Sequence, residues 1–196
     1  MRGNPHGTSI LNHDRVEVVK RNDKKANGKA DRTNGGSNTM KGLNLIELYC
    51  DKRKTNVFDV GFVIEENEEW YYIFSIDENG RSSNFELIKK ETVFMAQEDT
   101  EYLNKLSEQL GAFECDRIND LVNSQPAISS CISELMNNKT VVQIELYSSN
   151  TVDVEGTIIQ YGPKEIKVSL VENGNNKGVA RISPDAITRI AWDGIE

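Results

Sequence analysis

The sequence predicts a mostly β fold of two small β-barrels in tandem, linked by α-helices. Three observations support this fold class. The chain carries a faint internal duplication, each copy holds five short β-type segments separated by turn signals, and the stretch between the copies has helical periodicity. Internal repetition is considered first because a missed repeat changes the whole fold assignment. We expect residues 42–98 to form the first barrel, 99–138 the helical link and 139–196 the second barrel.

Matching positions at a nearly constant spacing reveal the duplication. The tetrapeptide IELY at residues 46–49 recurs at residues 144–147, an offset of 98. Gly61 and Gly156 are 95 residues apart, and the remaining matches are 94 residues apart. These remaining matches are Gly80 with Gly174, Ile88 with Ile182, Val93 with Ile187 and Asp99 with Asp193. An offset that shrinks and then settles predicts two copies that differ in the lengths of their loops.

Five strands are predicted in the first copy. They span residues 43–49, 57–64, 70–76, 85–89 and 92–96. Alternating apolar residues and β-branched or aromatic runs favour strands, and Gly61 inside the second strand predicts a bulge or bend. The charged stretch at 65–69 and the DENG sequence at 77–80 are turn signals, since Asn-Gly adopts positive φ at low cost.

The second copy repeats this pattern. Its predicted strands span residues 140–147, 152–159, 165–171, 179–182 and 187–192. Gly156 lies inside the second of these strands, and the glycine-rich stretch at 172–178 is a turn signal. A closed sheet of short strands must bend sharply, so a glycine in the same strand of both copies predicts a small barrel in each.

Two amphipathic helices are predicted between the copies. Asp99 or Thr100 caps the first helix, and Gly111 ends it. The second helix starts after Ser124 and has Pro126 in its first turn. Apolar residues recur at helical spacing in both. They are Tyr102, Leu103, Leu106 and Leu110 in the first helix, and Ala127, Ile128, Cys131, Ile132, Leu135 and Met136 in the second.

Residues 1–41 are predicted to be a disordered basic arm. They carry nine Lys/Arg and four Asp/Glu, a net charge of +5, whereas the rest of the chain has a net charge of −13. This asymmetry points to contact of the arm with nucleic acid or a membrane surface. The alternatives are a solvated tail, an arm folded onto its own acidic body, and a native chain that starts near Met40. Within the arm, residues 15–19 (RVEVV) are best suited to form a strand on docking.

The cysteines and the hydropathy of the chain indicate a compartment. Cys50, Cys115 and Cys131 are an odd number of cysteines without a CxxC motif, which favours free thiols in a reducing environment. No apolar run approaches the length of a membrane span, and the N-terminus has no apolar signal-peptide segment. We therefore expect a cytoplasmic protein without a membrane partner.

No catalytic, cofactor-binding or metal-binding residue is predicted. Both histidines, His6 and His13, lie in the arm, so the predicted body has no histidine for a catalytic triad or a metal site. The glycine-rich stretch at 32–38 lacks the lysine spacing of a P-loop. The carboxylates at 65–69 lie in a predicted turn, where solvent keeps them from serving as an acid–base pair. We expect no enzymatic activity, no cofactor and no small-molecule substrate.

The strand pattern resembles that of a known family. A glycine-bent second strand, a long third strand and a short closing pair are similar to the Sm-like (LSm) family of SH3-type barrels, over residues 43–99 and 126–193. The family has a short helix before its first strand, which residues 126–136 match in the second copy. The Asp and Asn that bind RNA in this family are absent from the turns at 65–69 and 161–164, and its Arg-Gly is absent from 89–91 and 181–184. The resemblance implies the barrel without the uridine-binding chemistry.

We expect a non-catalytic, intracellular interaction or regulatory module of bacterial type. Its barrel edges or its arm would bind protein partners or a second copy of the chain, because exposed strand edges must be paired or covered. Trp70 and Tyr72 share one face of a predicted strand and are candidate interface residues, with core packing as the alternative.

The alternative function is an RNA-binding regulator that resembles the Sm-like family. In this reading the barrels supply shape and basic residues of the arm contact phosphates. These residues are Arg15, Lys20, Arg21, Lys24, Lys25, Lys29 and Arg32.

Overall fold

The computed structural model of the chain describes residues 16–17, 44–77, 79–172 and 175–193. These residues form eleven strands and two α-helices. The strands are β1 (Val16–Glu17), β2 (Leu45–Tyr49), β3 (Val57–Glu66), β4 (Trp70–Ile76), β5 (Ser82–Lys89), β6 (Met95–Gln97), β7 (Val141–Leu146), β8 (Val154–Tyr161), β9 (Ile166–Glu172), β10 (Asn175–Ile182) and β11 (Ile187–Asp193). The helices are α1 (Glu101–Asn123) and α2 (Ile128–Asn138).

Ten of the strands lie side by side in one antiparallel sheet. Their order is β10-β9-β8-β7-β11-β5-β4-β3-β2-β6, and β1 pairs with β3. The predicted mostly β fold is confirmed. In the described residues the strand pairing forms one open sheet with β6 and β10 at its two ends, and no pairing closes it into a barrel.

The strand order repeats within this sheet. One half runs β6-β2-β3-β4-β5 and the other runs β11-β7-β8-β9-β10, so each half has the same five elements in the same spatial order. We call these halves the first and second units. Each unit has a short 3₁₀ turn before its last strand, at Lys90–Thr92 and Pro184–Ala186, and these turns are 94 residues apart. The duplication seen in the sequence is therefore present in the three-dimensional structure.

The structural register differs from the tetrapeptide match. Ile46 lies opposite Gly61, whereas Val142 lies opposite Gly156. Ile46 therefore corresponds to Val142, and the offset in the first strand is 96 rather than 98. A slip of two residues keeps every side chain on the same face of the strand, which explains how the IELY match fell out of register while the apolar pattern still agreed.

The interior positions of the two units also correspond. In the first unit a buried cluster combines β2, β4 and β5 residues with flanking apolar side chains. These positions are Ile46, Leu48, Cys50, Val63, Tyr71, Ile73, Ile88 and Val93. Their counterparts in the second unit are all apolar. They belong to a larger buried apolar cluster, which includes residues of both units and both helices, or pack against it. These are Val142, Ile144, Leu146, Ile158, Ile166, Val168, Ile182 and Ile187.

The second strand of each unit contains a glycine followed by a shift in strand register, which agrees with the predicted bulge. A Cβ added to Gly61 would lie 2.7 Å from the carbonyl oxygen of Phe74, and one added to Gly156 would meet the carbonyl oxygen of Ser169 even more closely. Only glycine permits this approach of neighbouring backbones. The register shifts just beyond each glycine, between Val63 and Glu65 in β3 and at the corresponding place in β8.

Helix α1 is longer than the sequence analysis predicted. Gly111 does not end it, and the helix continues to Asn123. Leu103 and Leu106 are buried as expected, and Ile118 and Val122 extend the same buried stripe beyond the glycine. A glycine inside a helix costs only about 1 kcal/mol relative to alanine, which the burial of the added turns outweighs. Thr100 is the N-cap residue, and its hydroxyl accepts a hydrogen bond from the Leu103 amide at 3.1 Å.

Helix α2 lies where it was predicted, with a shifted start. Ala127 is the N-cap residue, so Pro126 precedes the helix instead of lying in its first turn. Ile128, Cys131 and Leu135 are buried on one face of the helix. Within the described residues, neither α-helix combines the length and the apolar character that a membrane crossing requires.

The predicted arm is described only at β1. Val16 and Glu17 pair with Phe58 and Val57, which confirms that a strand forms within residues 15–19. The seven basic residues proposed to contact phosphates lie outside the described residues, as do both histidines.

Candidate functional site

The two units are joined by a strand pair. Strand β5 of the first unit runs antiparallel to β11 of the second, with Ile88 opposite Arg189 at one end and Asn84 opposite Asp193 at the other. On one face of this joint the rings of Phe85 and Trp192 stack with centroids 5.9 Å apart. Counted in chain order within each unit, β5 is strand four of the first unit and β11 is strand five of the second. Strand four of one unit thus pairs with strand five of the other, through a buried contact.

A buried charge cluster occupies the opposite face of the joint. Arg189 is 3% exposed, and its guanidinium binds the carboxylates of Asp59 and Glu86, the latter at 3.0 Å. Its Nε atom lies 3.6 Å from Oε2 of Glu145. Burial alone would lower the pKa of Arg189, but the carboxylates of Asp59 and Glu86 hold it well above its usual value. One cation from the second unit therefore contacts two carboxylates of the first.

The candidate interface residues Trp70 and Tyr72 have different environments. Tyr72 is fully buried, with its ring 5.7 Å from that of Trp192, and its hydroxyl donates a hydrogen bond to Gln125 at 3.3 Å. Burial raises the pKa of the Tyr72 hydroxyl above its ordinary value. Tyr72 is thus a core residue in this structure, in agreement with the core-packing alternative. Trp70 is half-buried, with the ammonium of Lys89 6.0 Å from its ring.

Strand β6 forms one end of the sheet and is largely exposed. Ala96, Gln97 and the following Glu98 are exposed. The corresponding residues of the second unit, 94 positions later, are Ile190, Ala191 and Trp192, and all three are buried. Strand β11 has β5 as a neighbour, whereas the described residues place no strand beyond β6. The neighbouring strand therefore accounts for this difference in exposure.

Strand β10 forms the other end and shows the same contrast. Val179 is 51% exposed and the Arg181 side chain is 70% exposed. Their counterparts in the first unit are Phe85 and Leu87, which are buried against β11. Arg181 makes a loose ion pair with Glu165 at 3.7 Å.

The two ends of the sheet carry charges of opposite sign. Glu98 and Asp99 follow β6, and both are exposed. Arg181 and Lys177 lie on β10, and both are exposed. Charged side chains on an edge strand discourage indiscriminate pairing, and opposite charges on two edges make those edges compatible with each other.

A shallow cavity of about 370 Å³ adjoins β6 at the open side of the first unit. Its lining residues are Asn44, Ile46, Val63, Glu66, Tyr71, Ala96 and Glu98. The Lys90 ammonium lies 4.6 Å from the Tyr71 ring and 2.7 Å from Glu66, so an internal cation already meets the aromatic ring and a carboxylate there. In the second unit the corresponding interior positions are buried and helix α2 contacts β8. The cavity is therefore continuous with the exposed residues of β6, since Ala96 and Glu98 line it.

Among the described residues, no group of three His, Cys, Asp or Glu side chains is arranged to hold a metal ion. The sequence predicts binding at strand edges but does not identify which strands form them, because a strand has the same alternating pattern at the end of a sheet as in its middle. The charges of Glu98 and Arg181 were the available signal, since edge strands favour charged residues.

Comparisons of the chain with protein-family models, with curated proteins and with solved structures find no match.

Proposed function

We propose that this protein is a non-catalytic, intracellular interaction or regulatory module built from two barrel-like units of the Sm-like type. It would bind protein partners by strand addition at β6 or β10. The observation that carries this proposal is the exposure of both terminal strands at positions whose counterparts are buried in the β5·β11 joint.

The physical basis is the unfilled hydrogen-bonding capacity of an edge strand. The outer side of such a strand presents backbone N–H and C=O groups that a further strand can satisfy, while side chains on alternate positions select the partner. The joint between the units is an example of such pairing, since β5 and β11 are about 100 residues apart in sequence and form an antiparallel pair.

A second candidate function is RNA binding. A single observation favours it: residues 1–41 have a net charge of +5, whereas the rest of the chain has a net charge of −13. In that case the arm supplies phosphate contacts and the body supplies shape. The acidic body does not favour a phosphate backbone on its own surface, so we place this function second.

The proposed function is tested by site-specific photo-crosslinking of the full chain in cell extract. A photoreactive amino acid is introduced at Gln97 in β6, at Val179 in β10, or at Glu108 on the exposed side of α1 as the control. We expect discrete protein adducts at the two edge positions and none at Glu108. Equal labelling at all three positions, or no adduct at either edge, would contradict strand addition at the edges.

A further inference from the structure

We propose that the partner fitted by these two edges is a second copy of this chain, with β6 of one copy pairing antiparallel to β10 of the next. This inference rests on the proposed function and deepens it by naming the partner. The internal joint is the template, because β5 and β10 are strand four of their units, and β11 and β6 are strand five. Among the described residues, no strand makes the corresponding pairing at either end of the sheet, on β6 or on β10.

The template specifies the register between copies. Each β5 residue of the joint is replaced by the β10 residue 94 positions later, and each β11 residue by the β6 residue 94 positions earlier. The resulting pairs are those expected between chains. Ile88 opposite Arg189 becomes Ile182 opposite Met95, and Leu87 opposite Ile190 becomes Arg181 opposite Ala96. In the same way Phe85 opposite Trp192 becomes Val179 opposite Glu98.

The charges of the two edges agree with this register. Glu98 would lie directly opposite Val179 and diagonal to Arg181 on the same face of the sheet. Diagonal neighbours in an antiparallel pair are within reach of long side chains. Glu98 and Arg181 are both exposed, so they are available for an ion pair between copies. In the internal joint the corresponding positions hold Trp192 and Leu87, which are buried.

Two consequences follow from this substitution of charges for apolar side chains. The contact between copies is weaker than the internal joint and is screened by salt. It is also heterologous, since the two surfaces differ, so copies add head to tail into a ring or a filament instead of stopping at a symmetric dimer.

The test is a charge reversal at each edge of the full chain, followed by mixing. Mass is measured by sedimentation velocity across a range of concentrations at low and high salt, with circular dichroism to check that each variant is folded. Glu98→Arg places positive charge on both edges, and Arg181→Glu places negative charge on both. Glu108→Arg on α1 makes the same change in net charge as Glu98→Arg but away from both edges.

We expect the unchanged chain and Glu108→Arg to self-associate, with association reduced by high salt. Each edge variant alone should associate at least about tenfold more weakly, because like charges then face each other. An equimolar mixture of the two edge variants should recover association, since every contact between the two different variants joins opposite charges.

A chain that stays monomeric at all concentrations would overturn the inference, and so would edge variants that associate as well as the unchanged chain or fail to recover on mixing. These results leave the proposed function standing if photo-crosslinks at Gln97 or Val179 still capture other proteins. Loss of both self-association and crosslinks would remove both proposals.

Discussion

At the scale of single residues, Arg189 links the two units. Its guanidinium lies among the buried carboxylates of Asp59, Glu86 and Glu145, and it comes from the strand that joins the units. Its counterpart in β6 is Met95, whose side chain is uncharged. A buried charge is tolerated only when it is paired and hydrogen-bonded, so removing this guanidinium leaves carboxylates buried without it.

We expect Arg189→Met to destabilise the protein by roughly 3–5 kcal/mol, the usual cost of removing one partner from a buried ion pair. The free energy of unfolding measured in urea provides the value. Arg81→Met is the matched control, because Arg81 is exposed and away from both edge strands, so its loss should change stability by no more than about 0.5 kcal/mol. Similar stabilities for the two variants would show that the buried cluster does not hold the joint.

At the scale of secondary-structure elements, Thr100 ties the start of α1 to the sheet. Its hydroxyl accepts a hydrogen bond from the Leu103 amide and donates one to Oε1 of Glu47, while the other oxygen of Glu47 accepts from the Tyr49 hydroxyl at 2.7 Å. Glu47 is 3% exposed. A single side chain thus caps the helix and satisfies a buried carboxylate of β2.

Replacing Thr100 by alanine should cost about 1–3 kcal/mol, because the helix loses its cap and Glu47 loses a buried hydrogen-bond donor. Thr100→Ser is the matched variant, since serine keeps the hydroxyl and loses only a methyl group. Thermal and urea unfolding of both variants measure the difference. If serine and alanine destabilise equally, the hydroxyl is not what joins α1 to the sheet.

At the scale of the whole molecule, the separation of charge between arm and body permits a test of the RNA alternative. If the arm binds RNA, affinity for bulk single-stranded RNA should fall steeply with salt, by roughly 0.7 in log K per phosphate contact for each decade of salt. Residues 40–196 should then bind far more weakly than the full chain. A titration of both forms at low and physiological salt measures this, and equal or absent binding would remove RNA as the second candidate.

Much of the local structure was predictable from the chain. The alternating segments, the DENG turn at 77–80 and the register shifts after Gly61 and Gly156 depend on neighbouring residues, and most lie close to where their patterns predict. Strand β10 is an exception, because it begins at Asn175, inside the stretch 172–178 that was predicted to be a turn. In the DENG turn, the side chain of Asp77 accepts hydrogen bonds from two backbone amides, and Gly80 has a φ of 73°. The predicted end of α1 at Gly111 was wrong because burial of later turns outweighed a local preference.

The environments of the candidate interface residues were harder to predict from the sequence. Trp70 and Tyr72 were selected because alternation places them on one face, but alternation does not say which face another element covers. Tyr72 is covered by Trp192, which is 120 residues away in sequence. Contacts at such separations depend on how the units meet, and no local pattern encodes that arrangement.

The mostly β composition, the duplication and the irregular second strand of each unit were predictable from the chain, because they depend on the periodicity of side chains and on the backbone freedom of glycine. The folded chain was needed to show that β5 pairs with β11, that the units share one open sheet, and that β6 and β10 end this sheet within the described residues. Strand pairing is non-local, and an edge strand differs from a central strand only by the absence of a neighbour. Which strands lack a neighbour is a property of the assembled sheet. The interactions proposed for this protein take place at those strands.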